Sequence, residues 1–241
     1  MSKMTKSLVA ASVLAATMAS GAAMAEVSMN VGATSNYIWR GVTQSADDSA
    51  ISGGIDYSHD SGFYAGAWLS SLGGAAGDAP GTEFDYYAGF GGAYGEIGYD
   101  VNVTRISYPQ IDNWDFTELG ASVSYSYFTA GLNSTIASDV EDVTGQGDAF
   151  IEGDLYSYVS ASFPLENDYS IGALYGSYKF DDDGEGGDDL DYTHYQLSVT
   201  KSAGDYGDVT LAYDANDMDD DPATDYKEDS GKVSISWSKS F

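Results

Sequence analysis

The 241-residue chain contains no cysteine, only 4 prolines and 2 histidines, and 9 Lys+Arg against 38 Asp+Glu. Without cysteine it has no disulfide framework, the usual support of small exported scaffolds, so another device must close the fold. With so few cations it presents no basic face for a phosphate backbone, which excludes nucleic acid as a partner. Beyond the first residues no run of about 18 apolar residues occurs, so no transmembrane helix is predicted. G-x-S-x-G, H-E-x-x-H and P-loop motifs are all missing. The histidines, His59 and His194, lie far apart, and His194 reads as a lumen or rim residue, so no enzyme is expected. High net charge with few aromatics would mean disorder; 20 Tyr, 9 Phe and 4 Trp speak against it.

The chain opens with Lys3 and Lys6, an apolar stretch from Leu8 to Ala19, and Ala23-Met24-Ala25. These are the basic region, hydrophobic region and A-x-A site of a secretory leader. The expected organisation is therefore a cleaved signal peptide over 1–25 and a single domain over 26–241. Losing Lys3 and Lys6 leaves 7 cations against 38 acids, a net charge of −31.

The stretch Gly231 to Phe241 alternates strictly. Val233, Ile235, Trp237, Lys239 and Phe241 share one face, and Lys232, Ser234, Ser236 and Ser238 the other. A strand apolar outside and polar inside suits a closed barrel in lipid. Similar alternation from Glu26 onward predicts about twelve strands of roughly 9–11 residues, long enough to cross a bilayer when tilted. The first is expected over about Val27 to Val42, with Val27, Met29, Val31, Ala33, Tyr37 and Trp39 toward lipid. Two strands leave their register open: Tyr64 and Trp68 oppose Phe63 and Leu69, and Tyr175 opposes Tyr178. Mostly long, acidic connections follow the odd strands and short turns follow the even ones. Outer-membrane barrels have that layout, with short periplasmic turns and longer outer loops. The predicted fold is all-β: a closed transmembrane antiparallel β-barrel, whose closure pairs every strand edge. The terminal strand resembles the C-terminal strand of outer-membrane barrels, so Trp237 and Phe241 are expected to be read by the barrel-assembly machinery. Outer-membrane lipid and lipopolysaccharide are the other expected partners.

Parity places Arg40, one of only two arginines, in the lumen near the outer end of the first strand. Glu83, Asp85 and Glu118 should face inward near the same end, with Asp56 and Asp100 lower down. An arginine opposed to acids makes a transverse field that selects ions; in a narrow barrel the same groups would only neutralise one another. Arg105 falls on the lipid face near the outer rim, within reach of lipid phosphate. The acidic stretches Asp139 to Asp154, Asp181 to Asp191 and Asp214 to Asp229 read as a solvated rim. Clustered carboxylates can take Ca²⁺ or Mg²⁺, but the EF-hand pattern is absent, and no cofactor is expected.

Three segments carry a family resemblance: SNYIWRGVTQS at Ser35 to Ser45, GGIDYSHDSGFYAGAW at Gly53 to Trp68, and EIGYDVNVTRISYP at Glu96 to Pro109. They resemble the TorF family of bacterial porins. The resemblance implies an outer-membrane barrel with a porin role, without a settled substrate or catalytic residues. The expected function is passive passage of small solutes or ions, with a preference for cations. The alternative is a non-conducting barrel with a structural or surface-interaction role.

Overall fold

The computed structural model describes residues 26–73, 81–140, 149–181, 190–218 and 231–241. The predicted leader and much of each acidic stretch (141–148, 182–189 and 219–230) lie outside the described residues.

The strands are β1 (Glu26–Thr34), β2 (Ile38–Trp39), β3 (Val42–Thr43), β4 (Ala50–Ser58), β5 (Phe63–Ser71), β6 (Thr82–Tyr94), β7 (Ile97–Ser107), β8 (Phe116–Tyr125), β9 (Phe128–Ser138), β10 (Leu155–Pro164), β11 (Tyr169–Lys179), β12 (Tyr192–Ser202), β13 (Asp208–Asn216) and β14 (Lys232–Ser240). All except β2 and β3 join one closed barrel of twelve antiparallel strands, each paired with its chain neighbours, and β1 closes against β14. Beyond β14, Phe241 exchanges both backbone hydrogen bonds with Met29, at 2.8 and 3.3 Å, and so completes the seam.

Period-two alternation decides which side chains meet lipid. Val27, Met29, Val31, Ile51, Val101, Val103, Leu197, Leu211 and Ile235 are exposed on the outer surface. Their chain neighbours point into a lumen of Ser, Thr, Asn, Tyr and acids. The two open registers are now assigned: Phe63 and Leu69 face out while Tyr64 is buried inside, and Tyr175 faces out while Tyr178 is buried inside. Turns at one end are short, as at Gly62 and Gly95, whose positive φ angles suit glycine. The longer connections gather at the other end.

Two expectations are corrected. The first strand stops at Thr34, not near Val42. Residues 35–49 turn into the barrel mouth, so Tyr37 and Trp39, read as lipid-facing, pack inside. Asp214, read as the start of an acidic loop, is a buried lumen residue of β13 held by Gln196 at 2.8 Å.

A barrel closed by backbone hydrogen bonds resists partial opening, because opening any seam bares unpaired polar groups to lipid. The folded protein is therefore expected to migrate faster than the boiled protein on a denaturing gel. A chain that stays soluble and monomeric without detergent would overturn this fold.

Candidate functional site

The mouth at the long-loop end is occupied by a small hairpin that the alternation pattern does not announce. β2 and β3 pair through Ile38–Thr43 and Trp39–Val42. The two residues between them, Arg40 and Gly41, have φ of 49° and 84°. Positive φ at both positions is the type I′ geometry whose twist matches flanking strands. Glycine is required at the second position, because a Cβ there would fall 2.5 Å from the Cβ of His194. The flanks are tied by side-chain hydrogen bonds, both to backbone and to one another. The Ser45 hydroxyl accepts from the Tyr37 amide at 2.8 Å and donates to the Asp48 carbonyl at 2.6 Å. The Asn36 amide donates to Asp47 and its carbonyl accepts from Thr43, at 2.7 and 2.6 Å.

This hairpin carries Arg40 into the lumen. Both terminal nitrogens of its guanidinium donate to the two carboxylate oxygens of Glu118 on β8, at 2.7 and 2.6 Å. The side chains are 6% and 7% exposed. Asn133 on β9, with its amide oxygen turned toward the arginine, accepts a further bond at 2.8 Å. The planar cation stacks among Trp39, Tyr156 and Tyr178, at 4.1, 4.2 and 5.1 Å from their ring centres. Beside Glu118 the pairing of β8 with β9 skips Ile136. Such a bulge at a barrel rim re-aims the neighbouring side chains.

Further contacts hold the hairpin on other sides. The Tyr37 and Tyr108 hydroxyls donate to the two oxygens of Glu83, at 2.6 and 2.9 Å. Asn216 donates to the Gly41 carbonyl at 2.9 Å, and Lys232 pairs with Asp47 at 2.8 Å. His194 meets the Tyr156 hydroxyl at 2.9 Å. The bare backbone of Gly176 makes room for that pair, since a Cβ there would lie 2.6 Å from the Tyr156 hydroxyl. Phe150, Phe116 and Trp39 pack against one another beside the arginine.

Every predicted lumen residue faces inward. Arg40, Glu83, Asp85, Glu118 and His194 share the mouth; Asp85 leaves its buried Oδ1 without a partner among the described residues. Asp56 and Asp100 sit lower in a separate group. Tyr87 and Asn30 donate to Asp56, and Tyr64 and Asn102 to Asp100. Arg40 lies inside the mouth because the hairpin, and not strand parity, carries it there. Sequence reading missed Trp39, Tyr156, Tyr178 and Asn133 as its partners. The one available signal was the Arg40-Gly41 pair between β-branched and aromatic residues, which marks a tight turn weakly because arginine is an uncommon left-handed residue.

At the outer rim Arg105 does face outward. It is engaged by Asp115 and Asp139. Burial would raise the Asp115 carboxyl, but the Ser107 hydroxyl, the Tyr108 amide and Arg105 outweigh it and hold it below the usual carboxylate range. Its contribution to stability is therefore complete above the ordinary carboxylate pKa and lost as pH falls through the lowered one.

At the opposite end the side chain of Phe241 is exposed toward lipid, with the Lys239 ammonium 4.8 Å from its ring. Trp237 donates its indole N–H to the Tyr206 carbonyl at 2.8 Å. Phe241→Ala keeps the backbone seam with Met29 while removing the ring. It is expected to refold normally in detergent yet to reach the outer membrane of cells at severalfold lower levels. Normal cellular levels would show that the ring is not an assembly signal.

The model of the Gcw_chp family, described as bacterial proteins of unknown function, matches residues 18–241. No curated protein matches the chain. Among solved structures, one from a study of in-meso crystallization of membrane proteins shares 9% identity over 89% of this chain and 83% of its own, with a TM-score of 0.53. A porin refined at 1.8 Å shares 14% identity over 80% of this chain and 61% of its own, at a TM-score of 0.40. OccAB3 of Acinetobacter baumannii shares 13% identity over 88% of this chain and 60% of its own, at a TM-score of 0.39. The likeness to the first of these, at 9% identity, concerns the fold alone.

Proposed function

The chain belongs to the Gcw_chp family of bacterial proteins of unknown function, and we propose that it is an outer-membrane channel of porin type, passing small solutes or ions passively and preferring cations. The observation that carries this reading is a closed barrel, apolar outside and polar inside, whose mouth is narrowed by an inward hairpin fixed through Arg40 and Glu118. Eight-stranded barrels are filled by their own side chains, whereas barrels of 16–18 strands leave an aqueous channel. With twelve strands, the groups at the mouth decide what passes. The short turns and both ends of the described chain then face the periplasm and the acidic rim faces outward. The resemblance to TorF porins agrees with this reading.

The second reading is a non-conducting barrel with a structural or surface role. The packing of Trp39, Phe116, Phe150, Tyr156 and Tyr178 around the hairpin favours it. Planar-bilayer recording of the refolded protein separates the two. Discrete ohmic steps in KCl support the channel; a bilayer that stays silent while the gel shift shows folded protein supports the plug.

A further inference from the structure

Outward side chains of neighbouring strands line up in rows set by the register. Ile171, Val199 and Leu211 form one row across β11, β12 and β13. Ala173, Leu197 and Tyr213 form the next row toward the long loops. Between these rows lies a shallow, apolar groove of about 450 Å³ on the lipid face. The next row toward the short turns changes character: Tyr169, Lys201, Val209 and Trp237. Successive rows are two residues apart, about 7 Å along a strand. That is the offset between a lipid phosphate and the start of its acyl chains.

Lys201 is the cation at the foot of this groove. Its ammonium stands 4.9 Å from the centre of the Tyr169 ring, and its side chain is 40% exposed. It donates to the Asn167 carbonyl and lies 3.5 Å from Asp168, whose side chain is 78% exposed. A pair so exposed is weak, so the ammonium is open to a stronger anion. Lys239, near Phe241, is the other outward cation at this end among the described residues. Lys201 and Lys239 are two outward cations set in an aromatic belt, with the acids Glu166, Asp168 and Asp205 on the adjoining turns. Lysines in such belts reach the headgroup level while their stems lie along apolar surface.

We propose that this face binds an anionic phospholipid of the periplasmic leaflet, with its phosphate at Lys201 and an acyl chain in the groove over Val199 and Leu197. The assignment to that leaflet rests on the orientation given under Proposed function. The binding itself rests on the groove and the lysine.

The test is native mass spectrometry of the folded full chain released from detergent, with phosphatidylglycerol, phosphatidylethanolamine of matched chains, or purified lipid A as the probe. Wild type is expected to retain one phosphatidylglycerol about fivefold over phosphatidylethanolamine, the ratio expected for one lysine near an anionic surface. Lys201→Gln should erase that preference and Lys179→Gln, at the other end, should keep it. Leu197→Trp, which fills the groove, should reduce retention of both phospholipids with the headgroup preference intact. No headgroup preference in wild type, a preference that survives Lys201→Gln, or preferential retention of lipid A would overturn the proposal. The readout is independent of conductance, so a silent bilayer would leave it standing and its failure would leave the channel reading standing.

Discussion

Glu118→Ala is expected to destabilise the barrel by about 3–5 kcal/mol, the cost of leaving a buried charge without its partner. The Arg40 guanidinium is almost wholly enclosed, and its two strongest acceptors are the oxygens of Glu118. The rings of Trp39, Tyr156 and Tyr178 stabilise the cation further, by up to about 2 kcal/mol for a desolvated contact, but they cannot replace a carboxylate. Arg40→Ala should also destabilise, because it strands the Glu118 carboxylate. The double change Arg40→Met with Glu118→Leu should cost far less than the sum of the single changes, since replacing both members of a buried pair by apolar groups is often neutral. Urea midpoints of the refolded proteins in detergent measure all of these. A Glu118→Ala protein within about 1 kcal/mol of wild type, or additive single changes, would mean that the hairpin is not anchored by this pair.

A conducting pore is expected to be strongly cation-selective in dilute salt and weakly so in concentrated salt. Residues 26–241 carry a net charge of −31, and the mouth holds Glu83, Asp85 and Glu118 beside the cations Arg40 and Lys232. Such a mouth raises the local concentration of cations, over about 10 Å at 0.1 M salt and about 3 Å at 1 M. Removing Arg40 should deepen the preference, because it releases the two Glu118 oxygens near Asp85 and takes away the cation paired with them. It should also raise conductance, because the guanidinium and its stacked rings narrow the passage. Reversal potentials across a tenfold KCl gradient, for wild type and Arg40→Ala, test both statements. Anion selectivity, a preference indifferent to ionic strength, or an unchanged Arg40→Ala potential would place the acids away from the conduction path.

Much of the fold was legible because a barrel strand writes its environment into every second residue. Val233, Ile235 and Trp237 against Ser234, Ser236 and Ser238 needed no tertiary information to be sorted. The site was half legible for the same reason: parity sent Glu83, Asp85, Glu118 and His194 inward. It failed where the chain leaves the sheet. Ile38, Trp39 and Val42 have strand-like composition, so the pattern ran β1 on past Thr34, although the backbone reverses at Arg40 and Gly41 within a few residues.

The sequence by itself determined a barrel of about twelve strands, the faces of most of them, the alternation of short and long connections and the excess of acid. These follow from local periodicity and composition, which act residue by residue. Tertiary structure alone decided that residues 35–49 fold into the mouth and that Arg40 meets Glu118, 78 residues away. It also decided that Tyr156, Tyr178 and Asn133 complete the arginine's enclosure. Those contacts exist because closing twelve strands brings β8, β9, β10 and β11 around one cavity that a buried cation can occupy only with a carboxylate beside it. No periodic signal encodes that requirement, because it belongs to the closed barrel and not to any one strand.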